Sequence, residues 1–401
     1  MKRTETTIAP ADRAAILRDT RQRKMSDSVH AYVRGNTARF YEWLEASPVA
    51  RLIPEGPPIW ICGDCHLGNL GPIADADRNI DIQIRDLDQT VIGNPALDLV
   101  RLGLSLQTAA RSSDLPGVTT AGMIEAIAEG YSRALDDGDQ AAVPEPAMIR
   151  ALNKRATKRR WRHLAEERIE GTDLSIPLGK RFWPLERDER AAVEALFADE
   201  AVRARILKLA SVGSTGNARV VDAAYWRKGC SSLGTLRYVV LLGVSEKGSK
   251  DERFGLVDIK EAVKPLAPAA ADAEMPRDNA KRVVAGATAL SPNLGKRMIA
   301  ARLLGRPVVL RELKPQDLKL EIGQLSQAEA IRAAAYLAHI VGRAHAGQLD
   351  AAGRAAWREL FSKRADSRIE APSWLWRAVV DLAGAHESAY LDHCRSYAIA
   401  A

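Results

Sequence analysis

The chain has 401 residues, with 58 Lys and Arg against 51 Asp and Glu and a formal net charge of +7. That length can bury a core for two domains or lobes, and a charge excess so small argues against a dedicated nucleic-acid surface. No apolar run reaches the roughly 18 residues that a transmembrane helix needs, and Met1–Thr7 lacks an apolar signal segment. A cytoplasmic enzyme without membrane contact is expected.

Residues 10–47 have the charged, Ala-rich periodicity of two helices broken near Gly35. Ile59–Cys62 is a short apolar run that fits a buried strand, and Ile80–Ile84 alternates as a half-buried strand does. Residues 96–112, 119–136, 146–170 and 189–210 read as helices. Strands are expected at 218–226, 236–243, 254–262 and 307–313, with Gly229–Gly234 as a small-residue loop between the first two. Residues 265–275 read as a Pro- and Ala-rich loop and 277–290 as a helix, and the chain beyond 326 is mainly helical.

Four cysteines are no disulfide framework in a chain of this length. Cys62 and Cys65 form a C-x-x-C without a second such pair, and Asp64 between them explains the local sequence better than zinc or redox chemistry. The basic run Lys154–Arg162 is followed by Glu166, Glu167 and Glu170, and reads as a solvated helix face or a share in a phosphate-bearing substrate site.

The chemistry lies in Gly63–Gly71, G-D-C-H-L-G-N-L-G, and in Arg85-Asp86-Leu87-Asp88. Phosphoryl transfer needs magnesium held against phosphates, a cation on them and a carboxylate beside the attacking hydroxyl. Asp64 is the candidate for orienting the hydroxyl, and His66 for shaping its loop. Asn69, Asp86 and Asp88 offer the hard oxygens that magnesium prefers. One such motif is an ordinary turn; here a strand delivers the first and another strand ends at the second. Downstream, a loop of Gly229, Ser231, Ser232 and Gly234 precedes a strand carrying Lys260, a combination suited to ATP phosphates. Gly213-Ser214-Thr215-Gly216 competes for the same role. Glu312 and Leu313 end a strand whose backbone offers a hinge to adenine. Asp98 either braces the catalytic loop or caps its own helix.

The two motifs resemble those of the phosphotransferase branch of the protein-kinase-like superfamily, which includes aminoglycoside and choline kinases. The whole chain is similar to an uncharacterised bacterial family, domain-of-unknown-function family 2252. The similarity covers Met25 through Arg34-Gly35, Gly63–Gly71, Asp86–Asp88, Asp98–Leu102, Gly229–Leu242, Ile259–Ala262, Arg282–Val284 and Arg343–Ala346. The chain departs from the family at Ala285 and Ala287, which leaves no glutamate as partner of Lys260, and at Cys230 and Ser232 in the glycine loop.

The resemblance implies an α+β, protein-kinase-like two-lobe fold in circularly permuted order. Residues 1–50 supply N-terminal helices, 51–210 a helical catalytic lobe, 211–320 a smaller antiparallel-sheet nucleotide lobe, and 321–401 helices that return to the first lobe. It implies an ATP- and magnesium-dependent phosphotransferase acting on a hydroxyl of a small molecule or protein. Nucleotidyl transfer and non-catalytic nucleotide binding are the alternatives.

Overall fold

The structure is a computed structural model that describes residues 8, 10–75, 77–136, 142–160, 175–209, 216–248, 251–318, 326–362 and 371–400. It is a mixed α+β protein whose sheets are all antiparallel.

The N-terminal region forms three helices rather than two: α1 (Pro10–Ser26), α2 (Val29–Gly35) and α3 (Thr37–Ala46). Short polar side chains cut the helical pattern twice. Ser28 accepts a hydrogen bond from the Ala31 amide at 3.1 Å and starts α2, and Asn36 accepts from the Arg39 amide at 3.3 Å and starts α3. A comparable division replaces the single helix expected at 189–210. Arg187–Ala198 (α7) and Glu200–Leu209 (α8) meet at Asp199, whose extended backbone and carboxylate, accepting from the Val202 amide, begin the second helix.

Two small ribbons position the motifs. Ile59–Ile61 (β1) pairs with Val91–Gly93 (β4), and Leu70–Ala74 (β2) pairs with Ile80–Ile84 (β3). The loop 62–69 leaves β1 for β2, and the loop 85–90 leaves β3 for β4, so the two pairings set both loops side by side. Helices Ala96–Arg111 (α4) and Gly117–Ala134 (α5), with the later Gln327–Ala346 (α11), Ala351–Phe361 (α12) and Ser373–Ala400 (α13), enclose the largest core. α5 and α11 pack at very short range: a Cβ on Gly130 would lie 2.1 Å from the Ala335 carbonyl oxygen.

Residues 182–313 supply a six-stranded sheet in the order β5-β6-β7-β8-β10-β9. Its strands are Phe182–Trp183 (β5), Asn217–Trp226 (β6), Arg237–Ser245 (β7), Glu252–Glu261 (β8), Met298–Leu303 (β9) and Arg306–Leu313 (β10). β7 is buried almost throughout, because its two faces enter different cores. Tyr238, Val240, Leu242 and Val244 face one, and Val239 and Leu241 the other. Asn279–Leu290 (α9) follows β8, and Pro292–Gly295 (α10) leads into β9.

Ala147–Lys158 (α6) buries Ile149, Leu152 and Ala156 and exposes Lys154, Arg155 and Lys158, the solvated face read from the sequence. Trp161, Arg162, Glu166, Glu167, Glu170 and Gly213–Thr215 lie outside the described residues. No helix among the described residues is long and apolar enough to cross a membrane.

Two stability outcomes follow. Gly130→Ala forces apart the α5–α11 contact and is expected to lower the unfolding free energy by about 1–3 kcal/mol, read from urea midpoints. His386 in α13 is fully buried, and burial, then the Arg101 charge, hold its imidazole down to about 3. The unfolded chain takes that proton near pH ~6.5, so His386 stabilises the protein above that pH and the contribution is lost as pH falls towards 3. The urea midpoint is expected to fall with acidification in this window, and less steeply in His386→Asn.

Candidate active site

Gly63 turns the chain out of β1 with a φ of 73°, where a Cβ would meet the Gln89 carbonyl oxygen at 2.3 Å, so only glycine fits. The turn presents Asp64 to a cavity of about 470 Å3. Asp98 fixes the turn from the first turn of α4: its carboxylate accepts from the Cys62 amide at 2.7 Å and the Gly63 amide at 2.9 Å. It therefore braces the loop and makes no side-chain cap on its own helix. His345, at the end of α11, stands 3.2 Å from Asp98 through Nε2 and 3.0 Å from the Tyr131 hydroxyl through Nδ1, and the Trp357 indole donates to that hydroxyl at 2.9 Å.

The Asp64 carboxylate accepts from Arg101 Nε at 2.8 Å and from the Thr37 hydroxyl at 2.9 Å. Arg101 is fully buried, one helical turn after Asp98, and also donates to the Val33 carbonyl at 2.6 Å. His66 lies with Nε2 3.9 Å from Asp64 and Nδ1 without a hydrogen-bond partner. Burial, with the Arg101 and Arg34 charges, outweighs Asp64 and holds its imidazole down to about 4, so it is neutral at neutral pH.

Ladder register explains the metal-ligand candidates. Asn69 immediately precedes β2 and Arg85 immediately follows β3, and the Arg85 amide donates to the Asn69 carbonyl at 2.7 Å. Asn69 Nδ2 donates to the Asp64 carbonyl at 3.0 Å, which leaves its Oδ1 for the cavity. Lys260 Nζ donates to Asp86 at 3.1 and 3.2 Å and also pairs with Asp88. These aspartates are the acidic partners that the sequence around α9 lacks. Burial raises the Asp86 carboxyl, but the Lys260 ammonium and the Arg237 guanidinium prevail and hold it well below the usual range. Its side chain is 42% exposed to the cavity, so it keeps part of its hydration and the charges decide the direction. Burial and the Asp86 charge push Asp88 up to about 6.

Two arginines missed by sequence reasoning support this cluster. Arg282, on the buried face of α9, donates to the carbonyls of Asp88 at 3.0 Å, Val263 at 2.9 Å and Thr90. Arg237, at the start of β7, makes a bidentate pair with Asp258 and is 8% exposed. Arg237 is a lone charge in an otherwise buried strand, whereas Arg282 follows the exposed Lys281 and carries no such signal.

The loop between β6 and β7 faces the aspartates across the cavity. Gly229, Ser231 and Ser232 line it, together with Lys228 and Arg34. Gly229 and Gly234 have φ of 91° and 103°, and a Cβ on Gly229 would meet Ser232 Oγ at 2.5 Å. Lys24 Nζ donates to the Gly229 carbonyl at 2.9 Å, and Cys230 packs so closely on α2 that a Cβ on Gly35 would reach its Sγ at 2.7 Å. Gly234, Glu312 and Leu313 are not among the residues that line the cavity, although Thr235 and Arg311 beside them are. The Glu312 amide donates to the Arg297 carbonyl at 3.1 Å and its carbonyl accepts from Arg297 Nη1 at 3.3 Å, so its backbone is already paired.

Arg101→Leu leaves the buried Asp64 carboxylate without its cation and is expected to cost about 3–5 kcal/mol of unfolding free energy, measured by urea denaturation. Asp98→Ala leaves two buried amides unpaired and is expected to cost about 2–5 kcal/mol by the same measurement.

A family model for an uncharacterised protein conserved in bacteria, domain-of-unknown-function family 2252, matches residues 13–396. No curated protein and no solved structure matches the chain. The match spans nearly the whole sequence and includes every element that lines the cavity, so the chain belongs to domain-of-unknown-function family 2252.

Proposed function

We propose that this protein is an ATP- and magnesium-dependent phosphotransferase acting on a hydroxyl of a small molecule or protein. One observation carries the proposal: Asp64, Asn69, Asp86 and Asp88 meet the glycine loop in one cavity, with Lys260 held on the two aspartates. Magnesium fits this donor set, since the carboxylates of Asp86 and Asp88 and the amide oxygen of Asn69 are hard oxygens on adjacent loops. Bound there, it would neutralise phosphate charge. Lys260 and Arg237 add fixed positive charge, and the backbone of Gly229–Ser232 closes over the phosphates. Asp64, oriented by Arg101 and Thr37, receives the acceptor hydroxyl.

The order of parts supports a kinase-like fold with permuted connectivity. β6, the glycine loop, β7, β8 with Lys260 and α9 follow one another as the strand, loop and lysine-bearing strand of a kinase nucleotide lobe do. The end of α11 lies directly beside the catalytic strand: Gln348 accepts from the Trp60 amide at 2.8 Å and donates to its carbonyl at 3.0 Å. A chain joined from α11 to β1 would run helix, catalytic strand, catalytic loop, and the contact across this junction supports a cut there.

Transfer of the terminal phosphoryl group and transfer of a nucleotidyl group both use this constellation. Either reading requires ATP with magnesium to raise the thermal midpoint of the wild-type protein by several degrees at saturating ligand. Asp86→Ala is expected to lose most of that rise. A wild-type midpoint unmoved by millimolar ATP and magnesium would sink the proposal.

A further inference from the structure

Among the described residues that line the cavity, every cation but one has a partner in the protein. Lys24 donates to the Gly229 carbonyl and Arg85 to the Asp317 carbonyl. Arg237 is paired with Asp258 and Arg311 with Asp317, and Lys228 stands over the Trp226 ring. Arg34, in the last turn of α2, is half-buried, makes neither a hydrogen bond nor an ion pair, and has its Nε shut away from solvent.

Its place is set by the loop that carries Asp64. Gly68 has no positive φ, so the backbone there does not call for glycine. The guanidinium does: a Cβ on Gly68 would lie 3.0 Å from Cζ, Nε and Nη2 of Arg34 alike. Equal distances to three coplanar atoms put that point over the guanidinium face. The N–H groups lie in the plane and so do not point at the loop. The chain around Arg34 is also the one that holds Asp64. Arg101, which donates to the Asp64 carboxylate, donates to the Val33 carbonyl as well, and Thr37 donates to the same carboxylate. Arg34 thus belongs to the segment wrapped around Asp64, whereas Lys260 and Arg237, assigned above to the phosphates, come from the sheet.

The carboxylates of the cavity leave Arg34 unsatisfied. Asp64 is held by Arg101, Asp86 and Asp88 by Lys260, and Glu261 by Arg306. Asp27 is exposed and makes no ion pair among the described residues. A half-buried guanidinium without acceptors is costly unless a ligand supplies them.

We infer that Arg34 holds an oxyanion of the acceptor, a carboxylate or a phosphate group, and that the acceptor is an anionic alcohol whose hydroxyl lies at Asp64. The inference rests on the transfer proposed above and names its substrate class. The planar fork of guanidinium donors matches either oxyanion. A neutral sugar leaves Arg34 unpaired and a cationic amino alcohol meets a like charge there, so both are disfavoured.

Inorganic phosphate and acetate are the probes, titrated by calorimetry into protein saturated with magnesium and the non-transferable ATP analogue AMP-PNP. At least one is expected to bind the loaded wild type in the millimolar range. Arg34→Gln, shown to be folded by its circular dichroism, is expected to weaken that binding about tenfold or more and to hold AMP-PNP within about threefold of wild type. Arg34→Lys keeps the charge without the fork and is expected to retain part of the affinity. The tighter probe separates a phosphate from a carboxylate class. Anion binding that is absent, or equal in wild type and Arg34→Gln, would overturn the inference. Loss of AMP-PNP affinity in Arg34→Gln, with no anion bound by the loaded wild type, would give Arg34 to the nucleotide phosphates instead. Both results leave nucleotide-dependent transfer standing, whereas a wild type that binds no AMP-PNP with magnesium overturns the transfer reading itself.

Discussion

The ammonium of Lys260 between Asp86 and Asp88 joins parts of the chain that the sequence separates by 174 residues. Buried charge is stable only when paired. The pair therefore ties the lysine strand to the aspartate loop. The pair fixes the six-stranded sheet over the two small ribbons, and the cavity is what remains between them. Arg282 secures the same loop from α9 through backbone carbonyls alone. A helix without an acidic side chain for Lys260 is thus still tied to the site, by a cation that binds the loop carrying the lysine's partners.

The helical part positions chemistry as well as enclosing a core. Asp98 and Arg101 lie on one face of α4 a single turn apart. The first holds the backbone of the Gly63–Asp64 turn and the second holds the carboxylate that the turn presents. His345, Tyr131 and Trp357 continue the hydrogen-bonded chain into α11, α5 and α12. These bonds hold the network in place, although Arg101 Nη1 is left without a hydrogen-bond partner. Asp64 is correspondingly fixed from behind, by Arg101 and Thr37, and open only toward the cavity.

The N-terminal helices change the character of the glycine loop. Lys24 holds its first carbonyl and α2 packs on Cys230, so the loop is anchored from outside the sheet that carries it. The close approach of Cys230 to Gly35 gives this cysteine a packing role. The same helices place Lys24 and Arg34 among the residues that line the cavity.

Much of this was legible in the sequence. The loops at 63–71 and 85–88 carry polar residues at strand exits, whereas Asp98 reads equally as a brace or a cap until its carboxylate is seen to hold the Cys62 and Gly63 amides. The long strands β6, β7, β8 and β10 and most of the helices follow from apolar periodicity. The strands that escaped, β2, β4, β5 and β9, are short and exist through their partners. The breaks at Ser28 and Asp199 depend on single capping side chains within otherwise helical composition. The sequence alone determined which residues have the chemistry to hold a metal and orient a hydroxyl, because residue type and local spacing suffice for that. Only the tertiary structure decided that Lys260 pairs with Asp86 and Asp88 and that Arg101 holds Asp64. Those are pairings of buried charge across distant segments, and no local pattern encodes them.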